Sequence, residues 1–269
     1  MPVARINDHD MYYELHGPLG GAPLVVMGGW GTWCHGDIGG LPRGLTDRYR
    51  VLVFDHRGIG ESTDDPSAPA TMRLYATDLA GLLDLLGWAR AHIVGLVGMG
   101  ACIGQELAIA RPDLVRSLVN SGAWAGVDDY FVDQMSGLLM LHRDVSFWAF
   151  QRETVQLSFD RAFYNENRHR LLGLEGGWKE LRGNVDAHAR FTDAVNTHDA
   201  LARLGSIRAP TLVIHAGHDL ITPPALSLPI ERGVPGAKGV LVEAAGHVFA
   251  GREMKKLLAD LVLGFVELH

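Results

Sequence analysis

A length of 269 residues suits one large domain or one domain with an inserted cap, and a composition of 47% hydrophobic and 20% charged residues is ordinary for a soluble globular enzyme. The net charge of -7 gives no reason to expect binding to nucleic acid or to an anionic membrane. With no apolar signal core, no run of about 18 apolar residues and only Cys34 and Cys102 as cysteines, a cytoplasmic protein is expected.

The first half of the chain alternates short apolar strands with helices. Helices are predicted over 71–87, where Gly87 is a suitable stop, and over 102–110. Buried strands are predicted at 22–29, from residue 49, at 91–97 and at 115–122. This alternation favours an α/β fold with a mostly parallel sheet that is covered by helices on both faces.

Between residues 124 and 204 the strand pattern is replaced by an aromatic and polar stretch of helical character. We interpret it as a helical cap, called the cap segment, inserted into a core domain formed by 1–123 and 205–269. Two more strands, which begin near 209 and 238, and a final helix over roughly 252–267 complete the core. The aromatic residues of the cap segment either line a pocket or form an ordinary helical core.

Three features of the sequence follow predicted strands and should meet at one edge of the sheet. A Gly-rich turn follows the strand 91–97, Asp219 follows the next-to-last strand, and His247 follows the last one. Ligands bind at the carboxyl edge of a parallel sheet. A turn, an acid and a histidine in this chain order predict a nucleophile elbow with a histidine–acid pair.

Four segments with these features resemble the α/β-hydrolase fold family over essentially the whole chain. "VVMGGWG" resembles the oxyanion loop of the family and "VLVFDHRGIGES" its D-x-R-G-x-G-x-S segment, while "APTLVIHAGHDLITPP" and "VEAAGHVFAG" resemble its acid and histidine loops. The resemblance implies the esterase, lactonase or C–C hydrolase branch. It also implies backbone N–H groups of Trp30 and Met99 as oxyanion donors, and a small-molecule substrate without a cofactor.

The chain departs from the family at the nucleophile. When the strand is aligned, the family's serine falls on Val97; when the longer helix is aligned, it falls on Gly98. The turn therefore carries a one-residue insertion, and neither residue can act as a nucleophile. Gly98 also leaves free the volume of a side chain, where a water could bind.

Other nucleophiles and ligands have weaker support in the sequence. Cys102 gives a G-x-C-x-G match similar to dienelactone hydrolase, but it lies one turn inside the helix, where a buried cysteine is an ordinary apolar residue. Ser121 and Ser62 are hydroxyl alternatives that more often serve structure. His215 and His218 need not converge, so no metal site is expected.

The sequence favours an enzyme in which His247, held by Asp219, acts as general base on water or substrate without a serine nucleophile. The substrate would be a small, mainly apolar carbonyl compound, such as an activated ester, a lactone or a compound with a cleavable C–C bond. The residues expected to line its pocket are Gly29, Trp33, His35, Trp124 and Trp148.

Three alternatives remain open at this point. The chain could be a non-catalytic binding protein, similar to the N-myc downstream-regulated family, in which a Gly-rich stretch replaces the serine elbow. It could also be a Cys102-dependent hydrolase or a cofactor-free oxygenase of the same fold. The sequence does not determine the oligomeric state.

Overall fold

The computed structural model describes residues 3–30, 38–173 and 178–269, and within them the strands form one sheet in the order β1-β2-β4-β3-β5-β6-β7-β8. From β4 through β3 to β8 all neighbouring strands are parallel, whereas β1, β2 and β4 pair antiparallel. The strands are β1 (Val3–Ile6), β2 (His9–His16), β3 (Ala22–Met27), β4 (Tyr49–Phe54), β5 (Ala91–Gly95), β6 (Val115–Ser121), β7 (Thr211–Ala216) and β8 (Lys238–Val242). The predicted mostly parallel α/β fold is thus confirmed.

The hairpin of β1 and β2 is absent from the sequence-based prediction. These two strands lie at the edge of the sheet and are only partly buried, so they carry polar residues instead of a continuous apolar run. A buried parallel strand is recognisable because both of its faces are apolar, and this signal is lost at an edge.

Helices cover both faces of the sheet, as predicted. Alternate residues of β3 point to opposite sides: Val25 and Met27 belong to one hydrophobic core, and Leu24 and Val26 belong to another. The helices are α1 (Leu45–Arg48), α2 (Met72–Leu85), α3 (Met99–Ala110), α4 (Asp129–Met140), α5 (Phe147–Ser158), α6 (Arg161–Leu172), α7 (Val185–Asn196), α8 (Pro224–Gly233) and α9 (Arg252–Val266). Residues of α2 and α3 pack in the first core, and residues of α1 and α9 pack in the second.

Between β6 and β7 the described residues contain only helices and connecting turns. This part comprises α4 to α7, a π-helical turn at Leu141–Val145, and 3-10 helices at Lys179–Leu181 and Leu201–Ser206. The division of the chain into a core and a cap stays a prediction. None of the helices in the described ranges is long and apolar enough to cross a membrane.

Two glycines allow α3 to lie directly against the centre of the sheet. A Cβ on Gly100 would lie 2.5 Å from the carbonyl oxygen of Met27 in β3, and a Cβ on Gly95 would lie 2.3 Å from the Cα of Ala101. Real Cβ atoms do not approach backbone atoms so closely, so a larger residue at either position would force the helix and the sheet to shift apart. The close contact determines where the N-terminus of α3 lies relative to β3 and β5.

We predict that Gly100→Ala destabilises the protein by about 1–3 kcal/mol or more, because the helix must move away from the sheet. Gly137→Ala is the matched control, since Gly137 also lies inside a helix but its Cβ would have no neighbour within 4 Å. The control should stabilise the protein by about 0.5–1 kcal/mol through its better helix propensity. Urea unfolding measures both, and equal effects would contradict the packing argument.

Several buried histidines make the stability depend on pH. Burial lowers the pKa of His56, His92 and His198 to about 4, and that of His188 to about 3, from an ordinary value near 6.5. At a pH between these lowered pKa values and 6.5, the histidines of the unfolded chain bind more protons than those of the folded chain. The free energy of unfolding is therefore highest above pH 6.5 and falls as the pH decreases toward 4.

We predict that His92→Gln makes this fall less steep, by up to about 1.4 kcal/mol per pH unit, because one titrating group is removed. Glutamine retains a polar group next to Ser117, whose hydroxyl lies 2.8 Å from Nδ1 of His92. Urea unfolding of both proteins at pH 7.5, 6.5, 5.5 and 4.5 tests this. Parallel curves over the whole range would show that His92 makes no contribution to the pH dependence.

Candidate active site

The loops after β7 and β8 are joined by backbone hydrogen bonds. Gly217 donates its N–H to the carbonyl of Val242 at 3.0 Å, and His218 donates its N–H to the carbonyl of Ala245 at 2.8 Å. A Cβ on Gly217 would lie 2.5 Å from the carbonyl oxygen of Glu243, so only glycine allows this approach. The two loops are thereby held side by side at the carboxyl edge of the sheet.

This arrangement brings the side chains of Asp219 and His247 into a buried hydrogen-bonded pair. Nδ1 of His247 lies 2.9 Å from Oδ2 of Asp219. Thr222 donates its hydroxyl to the same Oδ2 at 2.8 Å, and the Oδ1 atom accepts the backbone N–H groups of Ile221 and Thr222, both at 2.8 Å. The carboxylate thus has four donors, and Nδ1 is the ring atom that carries the proton toward it.

Burial by itself would raise the pKa of Asp219, since it disfavours the charged form. The attraction of His247 and the hydrogen bonds from His247 and Thr222 more than offset this effect and hold the pKa below its ordinary value. Asp219 is therefore an anion at neutral pH. A buried anion next to Nδ1 orients the imidazole and stabilises its protonated form.

The turn between β5 and α3 has the shape of an elbow without a nucleophile. Gly98 directly precedes the helix, with φ 86 and ψ -98, and Met99 is the first helical residue. Val97 also has a positive φ of 55, which is costly for a β-branched side chain. Gly98 is thus the last residue before the helix, and Val97, the other position on which the family's serine could fall, has a strained conformation.

His247 lies next to this elbow. A Cβ on Gly122, the residue after β6, would lie 2.9 Å from Cε1 of His247 and 3.2 Å from the backbone nitrogen of Gly98. The imidazole and the elbow are therefore neighbours across Gly122, whose φ of +64 and missing side chain provide the space.

The backbone N–H groups of Trp30 and Met99 have no hydrogen-bond acceptor within the part of the chain that the structure describes. Their loops are in contact, since a Cβ on Gly29 would lie 4.0 Å from the nitrogen of Met99. It would also lie 2.7 Å from the carbonyl oxygen of Val97. Two free donors and one carbonyl acceptor are thus available beside the elbow.

These groups border a cavity of about 40 Å³. Residues outside the segment 124–204 that line it include Gly29, Trp30, Val97, Gly98, Met99 and His247, and residues within that segment that line it include Trp124, Phe131, Met135, Thr154, Ser158 and Trp178. The lining is mostly apolar, and the space is sufficient for ordered water, which needs about 10–15 Å³ on this measure. The position of the missing side chain is partly filled, because a Cβ on Gly98 would lie 3.1 Å from Cζ3 of Trp124.

Of the other aromatic residues predicted to line the pocket, only Trp148 lies within the described part of the chain. Trp148 is 46% exposed and lies in a separate groove with Arg152 and Leu172, so its prediction as a pocket residue is wrong. The pocket face of α5 carries Thr154, and Trp148 is rotated by about 120° from it around the helix. Trp33 and His35, together with Cys34, lie outside the described residues.

Several residues at the site were not recognised in the sequence. Trp178, Thr154 and Ser158 carry no local motif, because only the packing of the helices after β6 brings them to the cavity. Thr222 follows Asp219 by three residues, one position beyond the spacing at which an aspartate side chain accepts a backbone N–H in an Asx turn, so it also had no specific signal.

Cys102 is fully buried inside α3, and its thiol donates a hydrogen bond to the carbonyl of Trp124 at 3.3 Å. Burial raises the pKa of this thiol well above its ordinary value, whereas a nucleophilic cysteine needs a lowered one. Gln105 donates to the same carbonyl at 3.0 Å. The thiol thus helps to hold Trp124 in place and does not line the cavity.

Of the remaining hydroxyl candidates, Ser62 has structural partners, since it donates to the carbonyl of Asp55 and accepts the N–H of Tyr12. Ser121 contacts the elbow through its backbone, because its carbonyl accepts the N–H of Gly98 at 3.4 Å.

The two histidines of the acid loop also have different partners. His215 contacts Ser227 and Glu231, whereas His218 contacts Asp160. The two imidazole rings thus have separate hydrogen-bond partners.

The model of the alpha/beta hydrolase fold matches residues 22–250. "Putative carbamate hydrolase RutD" of Pseudomonas savastanoi pv. phaseolicola is 30% identical over 242 residues, covering 88% of this chain and 92% of the relative. The protein of the same name from Azorhizobium caulinodans is 28% identical and covers 98% of both chains. The chain therefore belongs to the α/β-hydrolase fold family, and it is a hydrolase.

Two solved structures show the same fold. MGS-M2, an alpha/beta hydrolase enzyme from a Medee basin deep-sea metagenome library, is 24% identical with a TM-score of 0.86, covering 99% of this chain and 97% of its own. The enol-lactonase from Burkholderia xenovorans LB400 is 23% identical with a TM-score of 0.82, covering 99% of this chain and 100% of its own.

We predict that Cys102→Ala leaves turnover within about twofold of the unsubstituted protein and lowers the free energy of unfolding by about 1–2 kcal/mol, as expected for a small buried truncation. Steady-state kinetics and urea unfolding measure the two effects. Loss of all turnover in a variant that remains folded would instead identify the thiol as the nucleophile.

Proposed function

We propose that this hydrolase cleaves a small, mainly apolar carbonyl compound by general-base activation of water. In this proposal His247 is the base, Asp219 is its partner, and no residue forms a covalent intermediate. The observation that carries the proposal is the buried hydrogen bond of 2.9 Å between Nδ1 of His247 and Oδ2 of Asp219, formed beside an elbow that has no nucleophile.

The first step is attack by water. Because Nδ1 donates its proton to Asp219, Nε2 is free to accept a proton from a water molecule in the cavity. The water oxygen forms a bond to the carbonyl carbon as its proton moves to Nε2. Asp219, which is an anion, stabilises the imidazolium that results.

The second step is collapse of the tetrahedral intermediate. The negative oxygen of this intermediate accepts the free N–H groups of Trp30 and Met99, which are the donors expected for an oxyanion hole. Nε2 then returns its proton to the leaving group as the bond to the carbonyl carbon breaks. The products are an acid and an alcohol or amine, and the protein returns to its starting state.

The rate enhancement that these groups can provide limits the class of substrate. A general base contributes about 10²–10⁴ in rate and one oxyanion donor about 10²–10³. Removal of the serine from an enzyme built around it costs about 10⁶, so an unactivated amide is a poor substrate for this site. Activated esters and lactones fit, and the names of the RutD relatives add small carbamates to the class.

We predict that His247→Ala lowers kcat/KM by about 10²–10⁴, and that Asp219→Asn has an effect of similar order because the imidazole loses its charged partner. Turnover should be measured with p-nitrophenyl acetate, a small lactone, a small carbamate and a vinylogous 1,5-diketone. Intact-mass measurements during turnover should detect no acylated protein.

The matched control is His16→Ala. His16 also pairs with a carboxylate, Glu14, but it lies on β2 and does not line the cavity. Its activity should remain within about twofold, since no group at the site changes. Unchanged turnover in His247→Ala would overturn the proposal. If only the diketone were turned over, the reaction would be cleavage of a C–C bond and not hydrolysis of an ester.

A further inference from the structure

The cap side of the cavity carries two hydroxyl groups on one face of α5. Thr154 and Ser158 are four residues apart, both are 1% exposed, and both line the cavity with His247. Thr154 donates its hydroxyl to the carbonyl of Phe150 at 2.8 Å, so its proton is already used. Ser158 forms no such bond to the preceding turn.

The backbone of Ser158 is attached to the histidine loop. Its carbonyl accepts the N–H of Val248 at 2.8 Å, and it would lie 3.0 Å from a Cβ on Gly246. Both neighbours of His247 in the chain therefore contact Ser158. The end of α5 and the imidazole are thus held in a constant relation, although they belong to segments about 90 residues apart.

Within the described part of the chain no residue forms a hydrogen bond with the Ser158 hydroxyl, and the residue is almost fully buried and lines the cavity. A ligand in the cavity that accepts its proton would give this hydroxyl a partner. An ordered water needs two to four polar partners, and His247 provides one of them.

We propose that the Ser158 hydroxyl binds the reacting water of this hydrolase and orients it between the cap and Nε2 of His247. The inference rests on the function proposed above and adds a cap residue to that site. Ser158 donates its proton to the water oxygen or accepts one from it, while the proton removed in the reaction goes to Nε2. No bond to Ser158 forms or breaks.

The position of Ser158 favours this role over that of a nucleophile. Ser158 is the last residue of α5, where the helix dipole places partial negative charge. An alkoxide at this end would be destabilised, whereas the neutral hydroxyl remains a good donor and acceptor. The nucleophilic atom is therefore the oxygen of the water.

The test compares Ser158→Ala and Ser158→Cys with the unsubstituted protein, using the best substrate of the panel. Loss of a hydrogen bond that strengthens as charge develops should lower kcat about 10- to 100-fold and leave KM within about threefold. Cysteine has the same shape but is a weak donor, so its kcat should be intermediate. The cysteine variant also allows kcat to be compared with that of the unsubstituted protein if the alanine variant does not fold.

Ser136→Ala is the matched control, because Ser136 is a serine of α4 that bonds to Asn196 and does not line the cavity. It should retain kcat within about twofold. Wild-type kcat in both Ser158 variants, or an acyl group on Ser158 in the intact-mass measurement, would overturn the inference. Full activity in His247→Ala would show that the proposed function itself is wrong. Loss of activity in His247→Ala together with full activity in the Ser158 variants would show that only the role of Ser158 is wrong.

Discussion

The hydrogen bond between His247 and Asp219 depends on close contact between loops that are distant in the chain. Gly217 lets the acid loop approach the histidine loop, and Gly122 leaves room for the imidazole ring. A side chain at either position would separate the pair or displace the ring. The chemistry of the site therefore depends on steric constraints at residues that have no functional group of their own.

The turn between β5 and α3 keeps the shape of an elbow, although Gly98 has no side chain. Gly95 and Gly100 still pack α3 against the sheet, and the N–H of Met99 has no acceptor among the residues that the structure describes. Trp124 approaches the place of the missing side chain and closes part of that volume. In the proposed function, a water molecule bound in the cavity takes the place of a nucleophilic side chain.

The helices between β6 and β7 contribute polar groups as well as apolar lining to the cavity. α5 presents Ser158 to the cavity and binds the histidine loop through its carbonyl. Movement of α5 would thus change both the cover of the cavity and the surroundings of the base. Since Cys102 and Gln105 hold the carbonyl of Trp124, the opposite wall of the cavity is fixed from below by α3.

The sequence by itself determined the fold and the positions of Asp219 and His247 after the last two strands, because apolar strands leave local patterns, whereas the roles of these two residues stay predictions. It could not predict the β1–β2 hairpin, whose edge strands lack a continuous apolar run. Only the tertiary structure decided that Ser158 and Trp178 line the cavity and that Trp148 does not. The side of a helix that meets a pocket depends on how whole segments pack, and this packing leaves no signal in neighbouring residues.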